Sequence, residues 1–203
     1  MTALRVAVLV SHTGSNLRAL YEASKEPAAG YEIALVISNN SGSRGLAFAR
    51  GHGIPAAHLS GRTHLDPGSL DDAVLALLDA HRTDLVVTAG YMKKVGPRTL
   101  AAYAGRIVNV HPALLPRHGG PGMYGAAVHQ AVLDSGDRVT GPSVHYVTAE
   151  YDAGEVIARR EVPVLPDDTA ESLAGRVLEQ EHLLLPAVVR AIAAERTDPG
   201  RPS

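Results

Sequence analysis

Cysteine is absent from the 203-residue chain, which excludes disulfides and thiolate chemistry and suits a reducing cytoplasm. Long apolar runs are missing as well: none approaches the roughly 20 residues that a bilayer-spanning helix needs. Met1 to Arg5 lead directly into the apolar run Val6 to Val10, so no cleavable secretory leader is expected. Neither sign of charge is in marked excess, with 19 Lys and Arg against 21 Asp and Glu. The formal net charge is −2 and no Lys/Arg stripe is sustained, which argues against nucleic acid or an anionic membrane surface as partner. The ten histidines contain no H-E-x-x-H pair, and with no cysteine to complete a zinc site no catalytic metal is expected. A G-x-S-x-G elbow, a G-x-G-x-x-G loop and a Walker lysine are also missing. A serine hydrolase, a dinucleotide and a triphosphate are therefore not indicated.

What is present is an ordinary globular mix, 45% hydrophobic and 20% charged, at a length that fits one domain with a substantial core. Residues 1–196 are expected to form that domain, with 197–203, holding two prolines and a glycine, as a flexible tail. Val6 to Val10, Ile33 to Ser38 and Leu85 to Ala89 are apolar without alternation, as strands buried in a parallel sheet are. Helical spacing follows each of the first two, over Leu17 to Ser24 and from Leu46 to Arg50, where Gly51 to Gly53 end the helix. Ile54 to Leu59 could add a short strand, and Leu70 to His81 an amphipathic helix with Ala73, Val74, Leu77 and Leu78 inward. The alternation predicts an α/β fold: a mainly parallel, twisted sheet with flanking helices. The last third differs. Ser143 to Val147 and Glu155 to Val164 lie seven residues apart, too few for a helical crossover, so they predict a C-terminal antiparallel hairpin. Asp168 with Glu171 predicts a capping box opening a helix to about Ala194, with Pro186 a candidate bend.

Asn109-Val110-His111-Pro112 follows the short apolar run Arg106 to Val108. Two residues apart on a strand, the amide and the imidazole share a face, and Pro112 ends the regular pairing. A carboxamide donor and a group titrating near neutrality can stabilise an oxyanion and move a proton; a hydrogen-bonded turn explains the motif alone equally well. The loop Thr13-Gly14-Ser15-Asn16 opens a helix beyond the carboxyl end of the first strand, where N–H groups favour phosphate. Simple helix capping by Ser15 or Asn16 is the competing reading. Asp152, before Ala153-Gly154, suits a tight turn, and becomes functional only if its loop folds back over the Asn109–His111 strand end. Ser143 and His145 share a strand face and could line the same cleft, although a histidine satisfied within the core is the commoner arrangement.

Taken together, the segments Ser11 to Asn16, Val36 to Asn40, Ala89 to Met92, Asn109 to Pro116, Gly141 to Tyr146, Tyr151 to Gly154 and Glu179 to His182 carry a family resemblance. In order and spacing, from about Leu4 to Ala194, the chain resembles the phosphoribosylglycinamide formyltransferases, folate-dependent enzymes of purine synthesis. Gly122 to Gly125 and Val128 to Val132 resemble a branch of that family with a slightly longer loop. The resemblance implies a Rossmann-like formyltransferase fold and transfer of a formyl group from 10-formyltetrahydrofolate to the amine of glycinamide ribonucleotide, without a metal. It assigns catalysis to Asn109, His111 and Asp152, with Ser143 and His145 in support. Gly14, Ser15 and Asn16 match a phosphate loop, and Pro112 and Glu181 further nucleotide contacts. Tyr91, Met92, Lys93 and Val95, with Tyr151 and Asp152, match the folate pocket. Leu178 departs from a polar residue and Lys93 from an arginine common in the family. The expected mechanism has Asn109 and a protonated His111 on the oxyanion, with Asp152 raising the imidazole pKa and relaying the proton. A monomer or homodimer acting on small molecules is implied, with no nucleic acid or membrane. The rivals are a methionyl-tRNA formyltransferase, which would need a tRNA-binding domain, a formyltetrahydrofolate hydrolase, and a folate- or nucleotide-binding module without catalysis.

Overall fold

Unbroken apolar strands are where the fold starts. In the computed structural model, which describes residues 2–197, β1 (Leu4–Val10) buries every residue but Arg5. Parallel neighbours flank it: β2 (Tyr31–Ser38) on one side and β4 (Leu85–Thr88) on the other, with β3 (Ala56–His58) beyond β2. A strand with hydrogen-bonded neighbours on both edges and helices over both faces has no solvent side, which explains the missing alternation. With β5 (Ile107–His111), β7 (Ser143–Tyr146) and β8 (Val156–Arg159), the strand order of the seven-stranded sheet is β3-β2-β1-β4-β5-β7-β8. The chain divides into two compact units: residues up to Ile107 with those from Val189 onward, and Val108–Val188.

In the first unit, α1 (Ser15–Ser24), α2 (Arg44–Gly51), α3 (Pro67–Ala80) and α4 (Pro97–Ala102) follow the strands. Leu17 and Leu20 of α1, Leu46 of α2, and Val74 and Leu78 of α3 are buried, each contributing about 1.5–3 kcal/mol relative to exposure. The sequence pattern gives no sign of α4. It is held from a distance, by the buried carboxylate of Asp71, which accepts from Arg98 N (2.7 Å), Thr99 N (3.2 Å) and Thr99 Oγ1 (2.5 Å). Those are the orphan donors of the α4 first turn, satisfied by another helix instead of a local cap.

In the second unit, β5–β7 and β7–β8 are antiparallel, as the hairpin expectation required. The expected strand Glu155 to Val164 is broken in two. After β8, β9 (Val162–Pro163) leaves the large sheet to pair with β6 (Val139–Thr140). Pro142 lies at the break and has no N–H to continue the ladder. Also unannounced by the sequence, α5 (Ala126–Asp134) packs Val132 with Val162, Leu173 and Val177, and Leu133 and Val164 lie against that cluster. The last helix, α6 (Ala170–Thr197), contains Pro186 and runs past the expected end at Ala194. Its capping box is shifted by one residue. Thr169 and Ser172 exchange backbone-to-hydroxyl bonds of 3.2 and 3.0 Å, while Asp168 instead binds Arg176, Leu165 N and Ser172 Oγ. Thr197 closes α6; the rest of the expected tail, 198–203, lies outside the described residues. No helix among the described residues is long and apolar enough to cross a membrane.

Candidate active site

Asn109 and His111 stand on β5 opposite His145 and Ser143 of β7, so two cross-strand pairs supply four polar side chains on one face. His145 Nδ1 lies 2.9 Å from the Tyr146 carbonyl, which can only accept, so Nδ1 carries a proton. The Asn109 amide group lies 3.1 Å from His145 Nε2, which ties the two side chains together. Ser143 does not line a cleft. Fully buried, its hydroxyl accepts from Leu115 N (3.0 Å) and donates to Ala113 O (2.7 Å), stapling the turn that follows His111.

The hairpin loop does fold back. Asp152, at φ +54°, places Oδ2 3.6 Å from His111 Nδ1 and Oδ1 3.5 Å from His145 Nε2, and accepts from Gly120 N at 2.9 Å. Gly119 makes room for it: a Cβ there would stand 2.6 Å from Leu115 Cδ2 and 3.2 Å from Asp152 Cβ. The left-handed turn residue therefore brings its carboxylate to two imidazoles, the placement that the functional reading requires.

Electrostatics correct one expectation. His111 is 3% exposed, and burial pushes its pKa below the usual value; the Asp152 charge and the hydrogen bond to His118 O oppose this without reversing it. The carboxylate 3.6 Å away offsets only part of the cost of removing the imidazolium from water, so the neutral ring is favoured more than in a free histidine. Burial also pushes the Asp152 carboxyl upward, but His145, His111 and the Gly120 N–H together hold it below its ordinary value. The pair rests as carboxylate and neutral imidazole.

The remaining sequence candidates of this unit are spread around the cluster. Pro112 follows His111 and is half-buried, Tyr151 is exposed beside Asp152, and Glu181 is buried on α6. In the first unit, Gly14 precedes α1 at φ +67°, and no side chain caps the helix. Ser15 and Asn16 are not loop donors before the helix but its first two residues, which sets aside the capping reading. Gly14 is also fixed by packing, since a Cβ would come within 2.6 Å of Gly45 Cα. Of the segment after β4, Tyr91 is half-buried with its phenol pKa pushed up by burial, Met92 and Lys93 are exposed, and Val95 is buried. The Met92 N–H donates to Ser11 Oγ (2.7 Å), which donates to Asn39 Oδ1 (2.6 Å). Ser11 therefore ties three of the resembling segments together, a role signalled only by a hydroxyl at the end of an apolar strand. Among the described residues no group of three or more His, Asp or Glu is placed to hold a metal ion.

The family described as formyl transferase matches residues 4–189, a span that holds every one of these candidates. The chain belongs to the formyl transferase family. It is 42% identical over 193 residues to the chloroplastic phosphoribosylglycinamide formyltransferase of Vigna unguiculata, covering 95% of this chain and 62% of that protein. Its plant relatives are thus longer, and the chain spans under two thirds of their length. The phosphoribosylglycinamide formyltransferase of Escherichia coli (strain K12) is 36% identical, with 95% of this chain and 89% of that protein aligned. A crystal structure of the Brucella melitensis phosphoribosylglycinamide formyltransferase superposes with a TM-score of 0.88 at 40% identity, covering 95% of this chain and 97% of the other. Two members of the cluster are given no part in it by the sequence, His118 and Gly120. Both act through the backbone, the His118 carbonyl on His111 and the Gly120 N–H on Asp152, which side-chain motifs do not announce.

Proposed function

We propose that the protein transfers the formyl group of 10-formyltetrahydrofolate to the amine of glycinamide ribonucleotide. One observation carries the reading: in a formyl transferase chain, the carboxamide of Asn109, the imidazole of His111 and the carboxylate of Asp152 converge, with Asp152 Oδ2 3.6 Å from His111 Nδ1. The amine attacks the formyl carbon, a C–N bond forms, and the carbonyl oxygen takes up negative charge. Asn109 and His111 stabilise that oxygen, as preorganised donors do. The proton that the attacking amine sheds is taken up by His111, which becomes a cation as the oxyanion develops, with Asp152 compensating the charge. That same proton passes, with Asp152 in the relay, to the departing folate nitrogen when the second C–N bond breaks and the carbonyl re-forms. No step requires a metal ion.

In the first unit we assign the nucleotide phosphate to the backbone of Gly14, Ser15 and Asn16, where α1 presents N–H groups that no side chain caps. Pro112 and Glu181 are assigned to the rest of the nucleotide. Tyr91, Met92, Lys93, Val95 and Tyr151 are assigned to folate, and Ser143 and His145 to support of the catalytic trio. Cytoplasmic localisation and a monomeric or homodimeric state complete the reading, with no nucleic-acid or membrane partner; a cysteine-free chain of low net charge supports it. The test is tetrahydrofolate release with and without glycinamide ribonucleotide. Release only with the nucleotide is expected. Release without it would establish a hydrolase instead, and release under neither condition a binding module.

A further inference from the structure

His111 has two ring nitrogens, and something must decide which one carries the proton. Nε2 lies 2.8 Å from the backbone carbonyl of His118, which can only accept, so Nε2 is protonated and Nδ1 is the free nitrogen facing Asp152. Asp152 by itself favours the opposite arrangement, because a carboxylate attracts an N–H on the nitrogen nearest to it. The His118 carbonyl therefore competes with Asp152, and it must be held in place to win.

What holds it is visible one residue layer out. His118 sits at φ +53°, in the left-handed region that is uncommon for a residue other than glycine and that histidine, like asparagine and aspartate, tolerates better than most. Its own side chain anchors it: Nε2 donates to Asp137 Oδ2 at 2.7 Å, and Arg117 binds the other oxygen of the same carboxylate. Asp137 lies 10% exposed, three residues beyond α5, and the His118 bond is foremost in holding its carboxyl below the usual range. The two bonds to Asp137 restrain a loop whose next two residues, Gly119 and Gly120, would otherwise let it take several paths.

We propose that Asp137 and His118 are positioning residues that lock the tautomer of His111, keeping its proton on Nε2 and leaving Nδ1 as the only nitrogen able to take up a proton beside Asp152. The inference deepens the proposed formyl transfer and rests on His111 being the group that meets the oxyanion. In the locked state any proton gained by the ring arrives on Nδ1, where the carboxylate stabilises it. In the other tautomer Nδ1 is spent on Asp152 before the reaction begins.

Long-range proton–nitrogen NMR spectra of the full chain, with His111 assigned from a His111→Ala control, read the tautomer directly. Wild type and Asp137→Asn, whose amide oxygen still accepts from His118, should show the Nε2–H form and similar kcat. Asp137→Ala and His118→Phe should gain the Nδ1–H form and lose about tenfold in kcat, a part of what a proton-transfer group commonly contributes. KM for both substrates should stay within about twofold. His118→Phe keeps the test open if Asp137→Ala does not fold. Retention of the Nε2–H form in a folded Asp137→Ala or His118→Phe protein overturns the proposal, and so does a loss in Asp137→Asn as large as in Asp137→Ala. Full activity of His111→Ala would overturn the catalytic reading alone, since the tautomer is read without turnover.

Discussion

At the scale of single residues, the site is governed by competition between burial and charge at His111. Burial wins, so the imidazole titrates below the ordinary histidine value of about 6.5, and Asp152 is the largest group opposing the shift. Asp152→Asn removes the anion that favours the cation, so the His111 titration observed by NMR should move to still lower pH. A rise, or no change, would mean that the carboxylate does not sense the ring. In kinetics the same substitution should lower kcat sharply with little change in nucleotide KM. Asn109→Ala should cost roughly 10²–10³ in kcat, the scale of one lost oxyanion donor. The double variant should lose much less than the product of the two, because the groups act on one developing charge. Multiplicative losses would show that they act separately. The presence of these residues was readable from a period of two on a strand end. The sign of the His111 shift was not, since it depends on burial depth and on a 3.6 Å gap that spacing along the chain does not encode.

At the scale of elements, legibility follows how local the cause is. β1, β2 and β4 were readable because a strand buried on both faces needs only its own apolar residues. The β7–β8 hairpin was readable because its loop is short. By contrast, α4 depends on Asp71, a residue 27 and 28 positions before its partners Arg98 and Thr99, and the β8–β9 break depends on Pro142, which lies between the partner strands β6 and β7. The start of α1 shows both sides. A glycine before a helix was visible, but its tightest constraint is Gly45 of α2, 31 residues further on. Gly14→Val should therefore destabilise the fold by about 2–4 kcal/mol, combining a left-handed backbone cost with overpacking. That corresponds to a melting temperature lower by on the order of 5–15 °C. Protein that stays folded at assay temperature should show a raised nucleotide KM with folate KM less affected. An unchanged melting temperature would remove the packing argument and leave only a ligand role for this glycine.

At the scale of the whole molecule, the perturbed groups divide between the two units, and so should the pH limits of stability. His111, His129 and His182 all lie within 108–188, and burial is the largest cause of each lowered pKa. As pH falls below about 6.5 the unfolded chain gains protons at these positions before the folded one does, so stability falls with pH. The lowered carboxyls of Asp137 and Asp152, in the same unit, add a further loss once pH drops below about 4. In the first unit burial acts on tyrosines, with Tyr31 and Tyr103 pushed up to about 12. A raised phenol contributes stability below about 10 that is lost as pH climbs through the folded value. Hydrogen exchange followed by mass spectrometry, corrected for intrinsic rates, separates the two limits. Between pH 7 and 5, peptides from 108–188 should lose protection while those of β1, β2 and β4 keep it. Between pH 9 and 11 the order should reverse, with loosening led by the segments around Tyr31 and Tyr103. If both units lose protection together at each limit, the molecule unfolds as one cooperative body and local titration does not decide which part opens. If 108–188 is the more resistant at pH 5, the buried histidines are not what limits it, and the burial argument for a neutral His111 fails with it.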